Sequence, residues 1–180
     1  MCTKLRLTEQ RRATITTNVI STFMLAHMLL PILLRTSEAY PELIPRMTFV
    51  GSALHKFATL KARKESSILG ALTQLSATDT SEQDMRYNDS KLLLMLYAQK
   101  LSAAVPVSSQ TGKPKVCVNV VNPGYCVSNL VVPNGSGQRL MEKFLARTTD
   151  EGARTLVDAI ASENASESHG AYRDDMQVRQ

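Results

Sequence analysis

The sequence predicts an α/β fold in which helices cover both faces of a parallel sheet of about three strands. A nearly continuous apolar run at residues 115–121 is typical of a strand that is buried on both faces. The run ends at Asn122-Pro123-Gly124, a strong turn signal. Helical and strand patterns alternate along the chain, and this order indicates parallel strands joined by right-handed crossovers.

The other elements follow from the spacing of apolar residues. A helix is expected from Thr8, its N-cap, through Leu34, with a bend at Pro31. Its second half is apolar nearly all round, so we expect it to be buried on more than one side. A β-rich run predicts a strand at residues 47–52. Further helices are expected at residues 66–75, 87–104, 139–146 and 150–161, loops at 78–84 and 131–138, and a short last strand at 170–173.

The composition is that of an ordinary soluble domain. Of the 180 residues, 43% are hydrophobic and 21% are charged, and we expect a single domain over residues 1–180. The net charge is +5, but the basic residues are mostly scattered. Only 5% of the residues are aromatic and none is Trp, so few side chains are available to stack on bases. A nucleic-acid partner is therefore not expected.

The cysteines and the first helix bear on the location of the protein. Cys2, Cys117 and Cys126 form no CxxC motif. We therefore expect neither a disulfide framework nor a metal site, and we place the protein in the reducing cytoplasm. Residues 15–34 are apolar over about the length that crosses a bilayer. Six polar residues, among them Asn18, interrupt this run, which favours a buried core helix and no membrane span.

Tyr87 and Lys91 lie four residues apart on the helix predicted at 87–104, so they share one face. A lysine ammonium about 4 Å from a phenolate stabilises it by roughly 4 kcal/mol at an effective dielectric constant of about 20. Such a tyrosine can exchange a proton with an alcohol or a carbonyl oxygen. Taken alone, however, the spacing is more often that of an ordinary amphipathic helix start.

Polar residues also follow the first two predicted strands. Gly51-Ser52 and Asn122-Pro123-Gly124 lie where these strands end. Ligands of parallel sheets bind beyond the carboxyl ends of the strands. Upstream, Asn18 lies within an apolar helix, where an amide is costly without partners. These residues are the natural candidates for a functional site.

Four stretches, in this order, resemble the short-chain dehydrogenase/reductase family, and in particular its fungal members that act on secondary metabolites. They are Thr17-Asn18-Val19-Ile20-Ser21-Thr22-Phe23, Phe49-Val50-Gly51-Ser52-Ala53, Tyr87-Asn88-Asp89-Ser90-Lys91 and Asn122-Pro123-Gly124-Tyr125-Cys126-Val127-Ser128. The resemblance covers about residues 8–175. It implies the C-terminal part of a Rossmann-like, doubly wound parallel sheet. It also implies an NAD(P)-dependent oxidoreductase that interconverts an alcohol and a ketone or aldehyde on a small organic molecule.

The resemblance assigns catalytic roles to four residues. Tyr87 would donate or accept the proton, and Ser52 would bind the reacting oxygen. Lys91 would bind the hydroxyls of the nicotinamide ribose and stabilise the Tyr87 phenolate. Asn18 would hold a water molecule that links Lys91 to solvent.

The resemblance also implies the cofactor contacts and the partners. Asn18, Tyr87, Lys91, Cys126 and Ser128 would contact NADP or NAD, and the resemblance alone favours NADP. The two long helices are where members of this family often form homodimers, so a homodimer is the expected assembly.

Simpler interpretations stay open for several of these residues. Ser52 can cap a loop, Asn18 can bond a neighbouring backbone group, and Cys126 can be a small apolar filler. The three histidines match no position of the family's tetrad and are interpreted as structural or surface residues: His27, His55 and His169.

Two features depart from the family pattern. None of the eight glycines belongs to a Gly-rich turn of the kind that cradles dinucleotide phosphates. The chain is therefore expected to begin after that segment, with the strand at 47–52 as an exposed sheet edge. Ser52 and Tyr87 are 35 residues apart, farther than in many members, which predicts an insertion at 56–84 on the substrate side. The alternative to an active enzyme is a truncated, inactive remnant that binds a partner protein.

Overall fold

The computed structural model describes residues 13–73, 81–127, 146–161 and 165–179. One sheet has the strand order β1-β2-β3-β4. β1 pairs with β2 and β2 with β3 in parallel, whereas β4 runs antiparallel to β3. The predicted α/β fold is confirmed, and the first three strands correspond to the predicted ones, with β1 at the sheet edge as expected. The strands are β1 (Arg46–Val50), β2 (Cys117–Asn122), β3 (Tyr172–Asp174) and β4 (Gln177–Arg179).

β4 is a strand that the sequence did not predict. Asp175 and Met176 form the two-residue turn between β3 and β4, and both have positive φ, 52° and 58°. A tight hairpin turn of type I′ requires two such left-handed residues. Asp175 is a usual first residue of this turn, but Met176 stands where glycine usually follows, and β4 has only three residues. The hairpin therefore left no clear pattern in the sequence.

The predicted helices at 8–34, 66–75, 87–104 and 150–161 are present with shifted boundaries, except that residues 8–12 and 74–75 lie outside the described residues. The predicted loop at 78–84 is wrong at residues 81–84, which begin a helix, and its residues 78–80 lie outside the described residues. The predicted loop at 131–138 and residues 139–145 of a predicted helix lie outside the described residues. The helical segments are α1 (Ala13–Ala39), with a π-helical turn at Thr16–Ser21, 3-10 turns at Ala53–Phe57 and Lys61–Lys64, α2 (Ile68–Thr73), α3 (Ser81–Ala104), α4 (Thr149–Ala161) and α5 (Ala165–Ser168).

α1 and α3 cover one face of the sheet. Val118 and Val120 of β2 share a core with Phe49 of β1 and with apolar residues of both helices. Tyr97 of α3 stacks on Phe23 of α1, with ring centroids 3.8 Å apart. The Tyr97 hydroxyl also donates to the Phe23 carbonyl oxygen at 3.3 Å, so the two helices are joined by both apolar and polar contacts.

α4 covers the opposite face. Asn119 is offset by one residue from the valines that face α3, so its side chain points the other way. Its amide nitrogen donates to the carbonyl oxygen of Ala159 in α4 at 3.2 Å. Cys117 and Val121, which share the face of Asn119, are buried. The coverage of both sheet faces that the apolar run predicted is thereby confirmed.

The outer side of α1 contradicts the expectation that this helix is buried on more than one side. α1 also continues past Leu34 and includes Pro31 as a helical residue. A helix that packs on one sheet face and one neighbouring helix buries only the stripe directed at them. By length and composition Ala13–Ala39 is apolar enough to cross a membrane, with a mean hydropathy of 1.7. Five large apolar side chains of α1 are 40% to 69% exposed within the described part of the chain: Met24, Leu25, Met28, Leu29 and Ile32.

A buried arginine holds the β3–β4 hairpin to the helices. Arg173 of β3 is only 5% exposed. Its guanidinium donates to the Ser168 hydroxyl, to the Met176 carbonyl oxygen and to the carboxylate of Asp158 in α4. Asp158 is partly exposed, so the two members of this ion pair differ: the carboxylate can be hydrated alone, whereas the guanidinium cannot.

Removal of this carboxylate should therefore be costly. We expect Asp158→Ala to lower the free energy of unfolding by about 3 kcal/mol, because a buried charge left without its partner costs about that much. The control is Glu38→Ala, which breaks the more exposed Lys115–Glu38 ion pair and should cost less than about 1 kcal/mol. Urea denaturation followed by circular dichroism measures both. Equal losses in the two variants would contradict the role given to Arg173.

Candidate active site

Tyr87 and Lys91 lie near the start of α3, on one face as predicted. The Lys91 Nζ atom is 5.7 Å from the centroid of the Tyr87 ring, within the range of a cation–π contact. It donates to the carbonyl oxygen of Val50 at 2.8 Å. Burial lowers the pKa of Lys91, because desolvation disfavours its charged form. Lys91 thus joins the helix that carries Tyr87 to the carboxyl end of β1.

Asn18 lies in the π-helical turn of α1, a kind of distortion that is frequent at functional sites. Its amide nitrogen donates to the hydroxyl oxygen of Ser90 at 3.1 Å, and that hydroxyl donates to the Tyr87 carbonyl oxygen at 2.7 Å. The amide therefore bonds a side chain of α3, not a neighbouring backbone group. This contact places Asn18 beside the turn that carries Tyr87 and Lys91.

Ser52 follows β1 and caps the 3-10 turn at Ala53–Phe57. Its hydroxyl oxygen accepts the backbone N–H of Leu54 at 3.3 Å. The Ser52 carbonyl oxygen lies 2.6 Å from the Nδ1 atom of His55. Since a carbonyl can only accept, Nδ1 carries the hydrogen in this contact. The capping interpretation of Ser52 thus describes its local contact, and the residue lies two positions beyond the Val50 carbonyl that binds Lys91.

The turn after β2 is held by its own asparagine. The Asn122 side-chain oxygen accepts the N–H of Gly124 at 3.1 Å, and its amide nitrogen donates to Asp174 of β3 at 2.9 Å. Gly124 has a φ of +82°, and a side chain there would be strained and would also crowd Arg147. The Pro-Gly turn is therefore a rigid feature at the same sheet edge as Ser52.

Cys126 packs inward, against α4. Its Sγ atom contacts the Pro123 carbonyl oxygen at 3.4 Å, and any side chain at Gly152 would collide with it. These contacts are those of the small filler that the sequence left as an alternative to a cofactor contact. Ser128, the other residue expected at the cofactor, lies outside the described residues.

Asp89 is a residue of this region that sequence reasoning did not single out. It is 5% exposed, and its Oδ1 atom accepts the backbone N–H groups of Thr59 at 3.0 Å and Leu60 at 2.8 Å. Leu60 has a φ of 40°, so the carboxylate stabilises a left-handed residue. Asp89 lies in the polar first half of α3, so its carboxylate did not stand out from its neighbours in the sequence. Its two hydrogen-bond partners are 29 and 30 residues away in the sequence, so no local pattern indicated them.

Asp89→Ala should lower the free energy of unfolding by about 2 kcal/mol, because two backbone N–H groups lose their acceptor. Asp89→Asn retains an acceptor oxygen of the same shape and should cost less than about 1 kcal/mol. Urea denaturation compares the two variants with wild type. An equal loss for the alanine and asparagine variants would show that the carboxylate does not hold residues 59 and 60 through these bonds.

Comparisons with known proteins find fungal short-chain dehydrogenases. The chain is 36% identical to the short-chain dehydrogenase anuD of Penicillium roqueforti over 171 residues, which are 93% of this chain and 43% of that protein. It is 34% identical to the short chain dehydrogenase/reductase dmxR8 of a Cryptosporiopsis species over 176 residues, 96% of this chain and 52% of that protein. It is also 34% identical to the short chain dehydrogenase atnD of Emericella nidulans over 174 residues, 94% of this chain and 53% of that protein.

The chain thus spans about half the length of the curated relatives it matches. No protein-family model matches it, and no solved structure matches it either. The similarity to fungal enzymes runs through nearly the whole chain and agrees with the resemblance found in the four motifs. On this similarity and on its α/β fold, the chain belongs to the short-chain dehydrogenase/reductase family.

Proposed function

We propose that the protein is an NAD(P)-dependent oxidoreductase that interconverts an alcohol and a ketone or aldehyde on a small organic molecule. The observation that carries this proposal is the position of Lys91. Its ammonium lies at the carboxyl end of β1, bound to the Val50 carbonyl oxygen and 5.7 Å from the Tyr87 ring. The relatives named as short-chain dehydrogenases support the same class of reaction.

The donors of Lys91 fit the ribose end of a nicotinamide dinucleotide. An ammonium has three N–H donors, and Lys91 uses one of them on the Val50 oxygen. Two donors are left, which is the number that a pair of adjacent ribose hydroxyls needs. The sequence has no Gly-rich turn for the diphosphate, so the fit extends to this end alone. The choice of NADP over NAD, and the cofactor contact of Ser128, are proposals that depend on the resemblance.

The side chains of the site would move one proton. When bound, the dinucleotide supplies or takes up the hydride. The Tyr87 hydroxyl donates its proton to the carbonyl oxygen in reduction and takes it back in oxidation. The Lys91 ammonium stabilises the phenolate that is left behind. Asn18 positions the turn that carries Tyr87 through Ser90, and we propose that its amide oxygen holds the water that relays protons to solvent.

Ser52 fits both interpretations that the sequence left open. A hydroxyl can accept and donate at the same time. The Ser52 oxygen accepts the Leu54 N–H, which fixes the oxygen and leaves the hydroxyl hydrogen free to donate to the reacting carbonyl. The capping hydrogen bond from Leu54 then positions this donor at the end of β1.

We also propose that the segment at residues 56–84 forms the substrate side of the site. Asp89 holds Thr59 and Leu60 close to the start of α3, which brings the first part of this segment to the helix that carries Tyr87. Its last residues, 81–84, are the first turn of α3. A cytoplasmic location is a further part of the proposal, and it agrees with Cys117 and Cys126 being thiols in the described part of the chain.

Tyr87→Phe tests the proposed reaction. We expect it to lower turnover of a reactive ketone or aldehyde about 100-fold to 10,000-fold, because the positioned proton donor is lost. The unfolding transition should stay unchanged. Tyr40→Phe, which removes the hydroxyl of an exposed tyrosine at the end of α1, is the control and should keep full activity. The assay follows oxidation of NADPH or NADH at millimolar concentration against a panel of carbonyl compounds.

A wild-type rate no faster than that of Tyr87→Phe over the whole panel would contradict catalysis. An inactive protein that binds a partner would then be the better interpretation.

We also propose that a second copy of the chain covers the outer side of α1. Residues 23–34 carry no charged side chain, and five of the large apolar ones are exposed. A contiguous apolar surface of this kind usually marks an interface. Its continuity with the inner side of α1, which already packs on α3, gives a partner copy a rigid surface to dock on.

Met28→Glu should convert the dimer into a monomer, because it places a charge at the centre of the proposed interface. Phe57→Glu is the matched control, since Phe57 and Met28 are both 69% exposed but Phe57 lies far from α1 in sequence. Light scattering on a size-exclusion column without detergent measures the mass. A monomeric wild type would contradict the dimer. Partition of the wild type into lipid vesicles, lost in Met28→Glu, would indicate a membrane surface instead.

A further inference from the structure

Ser52 follows Gly51, a residue that the sheet fixes. The Gly51 N–H donates to the carbonyl oxygen of Val121 at 2.8 Å. A side chain at Gly51 would come within 2.7 Å of a Val120 methyl carbon and 3.6 Å of the Tyr172 ring, so glycine permits this close approach. The chain therefore enters Ser52 from one fixed direction. The direction in which it leaves depends on the turn that follows.

The 3-10 turn at Ala53–Phe57 is only weakly fixed by its own residues. Hydrogen bonds of 3-10 turns have poorer geometry than those of α-helices. The Ser52 carbonyl oxygen accepts the backbone N–H of His55 at 3.2 Å, at the long end for such a bond. Leu54 and Phe57 are 45% and 69% exposed, so their side chains contribute little packing to the turn. The direction of the Ser52 carbonyl therefore depends on further contacts.

The His55 side chain supplies such a contact. Its Nδ1 atom donates to the Ser52 carbonyl oxygen at 2.6 Å, so one residue binds this oxygen through both its main chain and its side chain. A carbonyl oxygen has two lone pairs and can accept both bonds. The imidazole packs edge to face on the Tyr172 ring, with centroids 4.9 Å apart. Tyr172 is 6% exposed and belongs to the core, so the imidazole packs on a fixed surface.

We propose that His55 is a positioning residue for Ser52, an inference that rests on the proposed oxidoreductase function. By binding the Ser52 carbonyl oxygen, the imidazole fixes the peptide bond that follows Ser52 and with it the direction of the serine side chain. The Ser52 hydroxyl then keeps its bond from Leu54 and directs its hydrogen at the reacting oxygen. A donor aimed at an oxygen that gains negative charge stabilises the transition state more than the bound substrate. Loss of the His55 donor should therefore lower kcat more than it raises KM.

Two substitutions separate this role from packing on Tyr172. His55→Asn keeps a donor nitrogen at the same number of bonds from Cα but loses the ring. His55→Leu keeps an apolar side chain against Tyr172 but loses the donor. We expect His55→Leu to lower kcat about tenfold, as the loss of one hydrogen bond does, and His55→Asn to stay within about threefold of wild type. Urea denaturation should rank the two stabilities the other way, because the asparagine variant loses more of the packing.

His27 offers a matched control. Its ring also meets a tyrosine ring edge to face, that of Tyr97, with the same interplanar angle of 74° that His55 makes with Tyr172. His27 lies on α1 and is exposed. His27→Leu and His27→Asn should both turn over substrate like wild type, because they change an imidazole–tyrosine contact that does not involve Ser52.

Amide hydrogen exchange followed by NMR tests the hold of His55 on Ser52 without any substrate. The Leu54 N–H is bound to the Ser52 hydroxyl oxygen. The Ala58 N–H is bound to the main-chain carbonyl oxygen of His55 at 3.1 Å, so it is the internal reference. We expect His55→Leu to speed exchange at Leu54 about tenfold relative to Ala58, and His55→Asn to change this ratio by less than about threefold.

The proposal would be overturned if folded His55→Leu turned over substrate as fast as His55→Asn, or if exchange at Leu54 were the same in the two variants. Tyr87→Phe should lower turnover and leave exchange at Leu54 unchanged. A wild type without turnover but with the expected exchange rates would contradict the oxidoreductase function and support the hold of His55 on Ser52, so the two failures are distinguishable.

Discussion

Three consecutive residues near the start of α3 hold three other segments of the chain, because successive side chains of a helix point about 100° apart. Asp89 binds the backbone of residues 59 and 60, Ser90 binds Asn18 of α1, and Lys91 binds the end of β1. A rotation of α3 by a single residue would break all of these bonds at once. The direction in which Tyr87 points is therefore set jointly by the π-helical turn of α1, the edge strand and the segment after Ser52. The candidate site therefore depends on the three sets of hydrogen bonds together more than on any one of them.

The sheet supplies the rigid base for that arrangement. β2 is buried along its whole length, with valines directed at α3 and Asn119 directed at α4. Two hydrogen bonds of Asn122 hold the end of β2, one to the turn that follows it and one to Asp174 of β3. His169 holds the start of β2, because its Nδ1 atom accepts the Val118 N–H and its Nε2 atom contacts the Ser102 carbonyl oxygen. A strand held in this way at both ends fixes the sheet edge where Ser52 and the Pro-Gly turn lie.

Some polar groups are buried without a hydrogen-bond partner among the described residues, and they differ in which residues surround them. The Thr48 hydroxyl, the Asn119 side-chain oxygen and the Tyr172 hydroxyl are all of this kind. Of these residues, Tyr172 belongs to the apolar core that β1, β2 and the helices share. The same residue contacts His55, and His55 contacts the Ser52 backbone. The core is thus connected through two contacts to the serine of the proposed reaction site.

The sequence by itself determined the class of fold and indicated which residues are candidates for the site. The apolar run of β2 and the alternation of elements were sufficient for a parallel sheet covered on both faces, because burial of a strand on both sides demands that composition. The spacing of Tyr87 and Lys91 was sufficient to place them on one helix face, because helical periodicity is a local property. The motifs around Asn18, Ser52 and Pro123-Gly124 added the family.

Tertiary structure decided what depends on contacts between distant residues. The bond from Asn18 to Ser90 spans 72 residues, and the two bonds from Asp89 join segments about 30 residues apart. No local pattern encodes such pairings. The exposure of the outer side of α1 was likewise invisible, because an apolar helix looks the same in sequence whether one side or both are covered. The sequence therefore named the candidate residues Asn18, Ser52, Tyr87 and Lys91, while the packing of α1, β1 and α3 decided what each of them touches.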